Sequence, residues 1–219
     1  MRVRQIFAPA VAAVLSLVGP GRVAAQDGMT VLEGASARYD RISTLCADFE
    51  QSLSVPLLKQ EQTGRGRLCQ SRPDRFAMRF TEPEGDVVVV DGTYVWVYYK
   101  SQDPKTVLRF PVGAAPGRFD LYGEFLQEPA EKYTATLDGR EAVEGHDAYR
   151  IRLVPRTSAS FKAAVVWIDV DDRLLRKVRV EEENESVRTV TLSNMDPAAQ
   201  APSGWFTFTP PPGAQVISR

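Results

Sequence analysis

One histidine occurs in 219 residues. That scarcity argues against His-ligated metal centres and against Ser-His or Cys-His catalysis, which need an imidazole among several matched groups. Cysteine is nearly as scarce, with only Cys46 and Cys69. Basic charge is not in excess: 27 Lys and Arg stand against 28 Asp and Glu, whereas a nucleic-acid binder usually carries a basic surplus. The sequence has no nucleophile elbow, phosphate loop or dinucleotide fingerprint. It also has no internal repeat, low-complexity tract or linker. Past the N-terminus, no apolar run approaches the ~20 residues of a membrane-spanning helix. What remains is ordinary: 43% apolar and 25% charged residues, which excludes collagen, a long disordered tail and a coiled coil. A chain of this length buries roughly 70% of its unfolded surface, so it needs neither metal nor disulfide to fold.

The N-terminus reads as an address. Arg2 and Arg4 precede an apolar run from Ile6 to Val18, and Gly19-Pro20-Gly21 ends it. Val23-Ala24-Ala25 then supplies the small residues of a cleavage site. The alternative is an uncleaved anchor, which the shortness of the run disfavours. Cleavage after Ala25 removes Arg2, Arg4 and Arg22 and no acid, so 27 against 28 becomes 24 against 28, a balance of −4. No cysteine follows the run to be lipidated. We therefore expect a signal peptide over 1–25 and one domain over 26–219, exported and not stably inserted in a membrane. Export to an oxidising compartment favours pairing Cys46 with Cys69, worth about 3 kcal/mol on the chain-entropy model. The alternative is two free buried thiols.

The mature chain begins with helical spacing. Val31, Ala35, Tyr39 and Ile42 predict a helix over Thr30–Leu45, with Thr30 and Glu33 as a capping box. Strands follow. In one register of Asp48–Val55 against Thr63–Gln70, Asp48 faces Arg67, Glu50 faces Arg65 and Cys46 faces Cys69. The two-residue turn this implies, Leu57-Leu58, is a poor turn sequence. Phe76, Met78 and Phe80 alternate in the next strand. Asp91-Gly92 marks a tight hairpin that places Val87, Val89, Tyr94, Trp96 and Tyr98 on one face. Val88, Val90, Val95, Val97 and Tyr99 occupy the other. Both faces are apolar, so both should be covered or enclose something. Later strands (Tyr149 to Leu153, Leu174 to Glu181, Arg188 to Asn194) alternate apolar with charged, as strands with one wet face do. Between the halves, Phe119, Tyr122, Phe125 and Leu126 have helical spacing over 117–126. The fold class is α+β, mainly antiparallel: a large curved sheet with a few helices against it.

Polar candidates are few. His146 is expected to be an exposed turn residue. Asp169, Asp171 and Asp172 lack the twelve-residue calcium-loop pattern and are expected to form a solvated turn. No catalytic residue, cofactor or metal ligand is assigned. What stands out is the aromatic surface of Phe76, Phe80, Tyr94, Trp96 and Tyr98. It is either a plain core or the lining of a cavity closed by helices.

At these residues the chain resembles the outer-membrane lipoprotein carrier family, LolA. The matching stretches are Ala47-Asp48-Phe49-Glu50-Gln51, Gly64-Arg65-Gly66, Arg72-Pro73-Asp74-Arg75-Phe76 and Thr81-Glu82-Pro83. Asp91-Gly92 before Val95-Trp96-Val97-Tyr98 and the ending Phe206-Thr207-Phe208-Thr209-Pro210-Pro211-Pro212-Gly213-Ala214 complete them. The resemblance implies an unclosed β-barrel whose concave face is covered by an N-terminal helix and a lid of loop helices. It implies a monomeric periplasmic chaperone that takes lipoproteins from the inner-membrane Lol ABC transporter and passes them to an outer-membrane, LolB-like acceptor. Phe49, Phe76, Met78, Phe80, Tyr94, Trp96 and Tyr98 would line the acyl-chain cavity. Arg72 matches the arginine that controls the lid through backbone contacts. Phe76 matches an aromatic residue implicated in engaging the transporter. Phe119, Tyr122 and Phe125 are lid candidates. Met78 stands where the family often has tryptophan, which keeps the site apolar and more adaptable. The cysteine pair is not part of the motif.

The physical task is clear. Each CH₂ of a lipid anchor is worth about 0.8 kcal/mol, so one long acyl chain costs roughly 12 kcal/mol in water. With no nucleotide-binding motif, release requires a next site of higher affinity. Alternatives are a periplasmic lipid or glycolipid carrier of the same fold, a lipid-sensing regulatory module, and a secreted hydrolase.

Overall fold

The computed structural model describes residues 27–114, 120–159 and 161–218. The expected leader, 1–25, and the lid candidate Phe119 lie outside the described residues.

Helix α1 spans Gly28–Tyr39 and buries Val31, Leu32, Ala35 and Tyr39, the stripe the spacing predicts. It ends well before Leu45, because Thr44 and Leu45 are taken into the first strand. The capping-box expectation also fails. Asp27 is the N-cap, without a side-chain bond, and Thr30 lies inside the first turn. Gly28 is there for a steric reason: a Cβ would meet the Leu137 backbone nitrogen at 2.9 Å.

Among the described residues, twelve strands form one sheet: β1 Thr44–Val55, β2 Gln60–Ser71, β3 Arg75–Glu82, β4 Val87–Asp91, β5 Tyr94–Tyr98, β6 Thr106–Pro111, β7 Tyr133–Val143, β8 His146–Pro155, β9 Phe161–Asp169, β10 Leu175–Glu182, β11 Val187–Asp196 and β12 Gln215–Ser218. Their order is β12-β6-β5-β4-β3-β2-β1-β11-β10-β9-β8-β7. Only β12 on β6 is parallel among the pairings of the described residues. Strands β12 and β7 are left as edges, so the curved sheet is an unclosed barrel.

The β1–β2 register is the one the charges predict: Cys46 opposite Cys69, Asp48 opposite Arg67, Glu50 opposite Arg65. Arg67 donates to Asp48 at 2.8 Å, and Cys46–Cys69 is a disulfide. The connection differs from the expected two-residue turn. Pro56–Leu58 form a 3₁₀ turn and Lys59 closes it in the left-handed region, leaving Leu57 and Leu58 exposed. Gly66 lets β2 bend against β3: the register shifts between Arg65 and Gly66, and a Cβ at Gly66 would lie 2.1 Å from the Arg79 carbonyl oxygen.

Two short helices, α2 (Leu121–Phe125) and α3 (Pro129–Lys132), follow β6. With α1 they pack over the β7–β9 part of the sheet. The interior is built from two apolar clusters. One joins α1 and α2 to Ile151, Leu153, Val166, Ile168 and Val178. The other joins Phe49, Phe76, Met78 and Phe80 to Val88, Val90, Val95 and Val97. Leu121 and Met195 pack against both and make the interior continuous.

Candidate functional site: the apolar interior and its lid

Phe49, Phe76, Met78 and Phe80 come together inside the sheet, as one face of β1 and β3 requires. Phe49 and Phe80 meet edge to face at 5.0 Å, and Phe80 packs edge to face with Tyr99 at 6.4 Å. Burial pushes the Tyr99 phenol up, against the pull of Arg188.

Tyr94, Trp96 and Tyr98 are a correction. Pairing Val88 with Val97 and Val89 with Trp96 turns these three aromatics to the opposite face. That face is covered from outside by the C-terminal segment. Phe208 sits 5.9 Å from Trp96 and 5.8 Å from Tyr98. Arg79 holds the segment by donating to the Trp205 and Thr207 carbonyls, each at 2.9 Å. The Trp96 indole donates to Asp91 at 2.7 Å, and the Arg109 guanidinium lies 4.7 Å above the Tyr94 ring. The Asp91 carboxyl is held below its usual range: burial opposes ionisation, but donors from Tyr94, Trp96 and Thr93 outweigh it. These rings are therefore structural cover, remote from the concave interior.

The lid is α2. Asp120 caps it, accepting from Gly123 N at 3.0 Å and from the Gln70 amide at 2.8 Å. Leu121 and Phe125, four apart, face the interior. Tyr122 lies at the rim, where the Tyr39 ring stacks on it at 5.7 Å. Its hydroxyl donates to Asp40 Oδ1 at 2.8 Å. Arg72 donates to the same oxygen at 3.3 Å, and its guanidinium lies 4.2 Å above the Tyr122 ring. Burial and the Asp40 bond raise the Tyr122 pKa, and Arg72 opposes them. Arg72 thus reaches the lid, among the described residues, through a ring face and a shared carboxylate, where the resemblance implied backbone contacts. From below, Lys132 donates to the Gly123 carbonyl at 2.6 Å and Tyr133 to the Glu124 carbonyl at 2.9 Å.

Beneath α2 the space is nearly filled. A slot of about 30 Å³ remains, walled by Leu121, Phe125, Phe161, Val178, Val180 and Val190, room for a few waters at most. Beyond it, a cavity of about 540 Å³ opens past Leu53, Phe80, Tyr99 and Arg188. Leu121 walls the slot and packs against both apolar clusters.

Asp40, Leu121 and Arg188 were not singled out from the sequence. The four-residue spacing of Leu121 with Phe125 was the available signal for one of them. His146 is exposed as expected, yet its Nδ1 lies 2.9 Å from Asp169. The turn is solvated at Asp171 and partly at Asp172, but not at Asp169, whose carboxylate is buried, accepts from the Asp171 and Asp172 amides, and pairs with Arg176 at 2.9 Å. Among the described residues, no three His, Cys, Asp or Glu side chains converge to hold a metal.

Residues 40–209 match the model of the outer membrane lipoprotein carrier protein LolA family. The chain belongs to the LolA family. It is 28% identical over 218 residues to the outer-membrane lipoprotein carrier protein of Alkalilimnicola ehrlichii, covering 99% of this chain and 96% of that one. It is 27% identical to that of Shewanella woodyi, over 82% of each chain. Among solved structures it shares its fold with an uncharacterised conserved protein from Thermus thermophilus, with a TM-score of 0.53, 16% identity and 85% and 99% coverage. MucB, solved in complex with MucA(peri), gives a TM-score of 0.50 at 16% identity, covering 87% of this chain and 62% of that one. The match supports a LolA-like carrier that binds lipoprotein or lipid, in a family of carriers and not of enzymes.

Proposed function

We propose that this protein is a periplasmic chaperone that hides the acyl chains of lipoproteins in the interior between the β1–β5 face and α2. On this reading it is exported by its 1–25 leader. It loads at the inner-membrane Lol ABC transporter and unloads to an outer-membrane, LolB-like acceptor. The observation that carries the reading is the continuous apolar interior roofed by a single short helix whose outer fastening is polar. On opening, Leu121 and Phe125 give up apolar contacts that an acyl chain can replace, and the polar rim of Tyr122, Asp40 and Arg72 adds a weak restraint to the empty roof.

Phe76 is 4% exposed in this arrangement. A role for it at the transporter therefore follows lid opening. Release without a nucleotide requires that lid closure compete with cargo, so the carrier holds lipid only moderately and yields it to a tighter site.

The test is native and then denaturing mass spectrometry of protein purified from the periplasm. A co-purified acylated protein is the expected result. A bound free lipid would transfer the reading to a lipid or glycolipid carrier. In parallel, the protein should release lipoproteins from inner-membrane vesicles. Arg72→Leu should load cargo but release it more slowly or faster than the parent, and unchanged loading and release would remove Arg72 from lid control.

A further inference from the structure

Arg188 borders both spaces described above: the apolar slot under α2 and the open cavity beyond Phe80 and Tyr99. Its register explains why. It lies opposite Leu53 of β1 and Val180 of β10, on the inward face that Val190 continues into the apolar cluster. Neither opposite side chain can accept a hydrogen bond. Its Nε is buried with no hydrogen-bond partner among the described residues. The carboxylates that border the same spaces are each engaged. Asp86 accepts from the Ser101 amide and hydroxyl at 2.9 and 2.6 Å. Glu124 lies 3.0 Å from the Tyr133 hydroxyl, and Glu182 is engaged as well. A charged fork of donors on an inward, largely apolar face, with an idle buried N–H, calls for an oxygen acceptor that no described residue supplies.

We propose that Arg188 receives the oxygen-bearing head of an acyl ligand, a carboxylate or ester, whose tail lies in the apolar interior. The inference rests on the carrier reading above and assigns the ligand its orientation. The tail points under α2, between Val180 and Phe125. The head lies at Arg188, where the wall changes from apolar to Gln51, Gln62 and Thr63. Arginine suits this place because it is always charged, donates in a planar fork and accepts nothing. An apolar cavity alone reads chain length; a guanidinium at its mouth also reads what the chain ends in.

The experiment displaces N-phenyl-1-naphthylamine, a neutral apolar probe, with three ligands of equal chain length: palmitate, 1-palmitoylglycerol and hexadecylamine. The parent should prefer palmitate and 1-palmitoylglycerol to hexadecylamine. Arg188→Gln should weaken the two oxygen-headed ligands at least tenfold and leave hexadecylamine unchanged or tighter. Arg188→Lys should keep part of the preference, since it retains charge and loses the fork. Loss for palmitate alone assigns the site to a free anionic lipid. Loss for both assigns it to an acyl ester. Unchanged affinities for all three in Arg188→Gln, with its thermal midpoint equal to the parent's, would overturn the assignment while leaving the apolar cavity standing. Failure of every chain to displace the probe from the parent would instead overturn the carrier reading, and the head site with it.

Discussion

Asp169 and Arg176 form the least exposed ion pair among the described residues, with side chains 2% and 5% exposed. Arg176 also pairs with Asp172, and the Asp169 carboxylate closes its own turn by accepting two backbone amides. Asp169→Asn leaves the buried Arg176 with only the half-exposed Asp172 as its counter-charge, so it should cost about 2 kcal/mol in urea denaturation at pH 7. The pH profile follows from the direction of the shift. Burial works to raise the Asp169 pKa, but the amides and Arg176 hold it below the usual carboxylate range. Its stabilisation is therefore complete above the unfolded value near about 4, and is lost as pH falls through the lower folded value. The asparagine variant should lack that part of the acid loss, and an identical profile in parent and variant would contradict the account. The sequence shows here only an acidic turn. That Arg176 folds back onto it depends on the irregularity between Leu175 and Lys177, which no periodicity announces.

At the scale of elements, the α2 fastening is weak in physical terms. Asp40 is 57% exposed and Arg72 32% exposed, so their pair, which orients the acceptor of the Tyr122 hydroxyl, is worth at most about 1 kcal/mol. Tyr122→Phe removes the hydroxyl and keeps the ring under Arg72. It should raise amide exchange over 121–126 and speed lipid uptake by a few-fold, with the thermal midpoint unchanged. A slower uptake would show that Tyr122 does not restrain the lid. The elements themselves were unevenly legible. Opposed charges revealed β1–β2, and Asp91-Gly92 revealed β4–β5, because both signals are local. The lid was half legible: Tyr122 and Phe125 have helical spacing, while Asp40 is a partner from another element. Tyr94, Trp96 and Tyr98 were assigned to the wrong face because alternation separates two faces without saying which is concave. The residue that decides it, Phe208, arrives from the far end of the chain.

At the scale of the whole molecule, the disulfide and the carrier function are separable. Cys46–Cys69 joins two strands that are already antiparallel neighbours in the middle of the sheet, on the face carrying Asp48–Arg67. It closes a loop with a sequence separation of 23, which constrains the unfolded chain by about 3 kcal/mol. For a chain of this size each kcal/mol moves the midpoint by about 2–4 °C, so Cys46→Ala/Cys69→Ala should melt about 6–12 °C lower. The bond does not border the slot under α2 or the cavity at Arg188, and the β1–β2 ladder runs from Thr44 to Val55 without depending on it. Probe displacement by palmitate at 25 °C should therefore match the parent's. A variant that melts lower and also loses lipid affinity would show that the bond sets the curvature of the sheet, since that curvature is what brings Phe49 of β1 and Val97 of β5 into one interior.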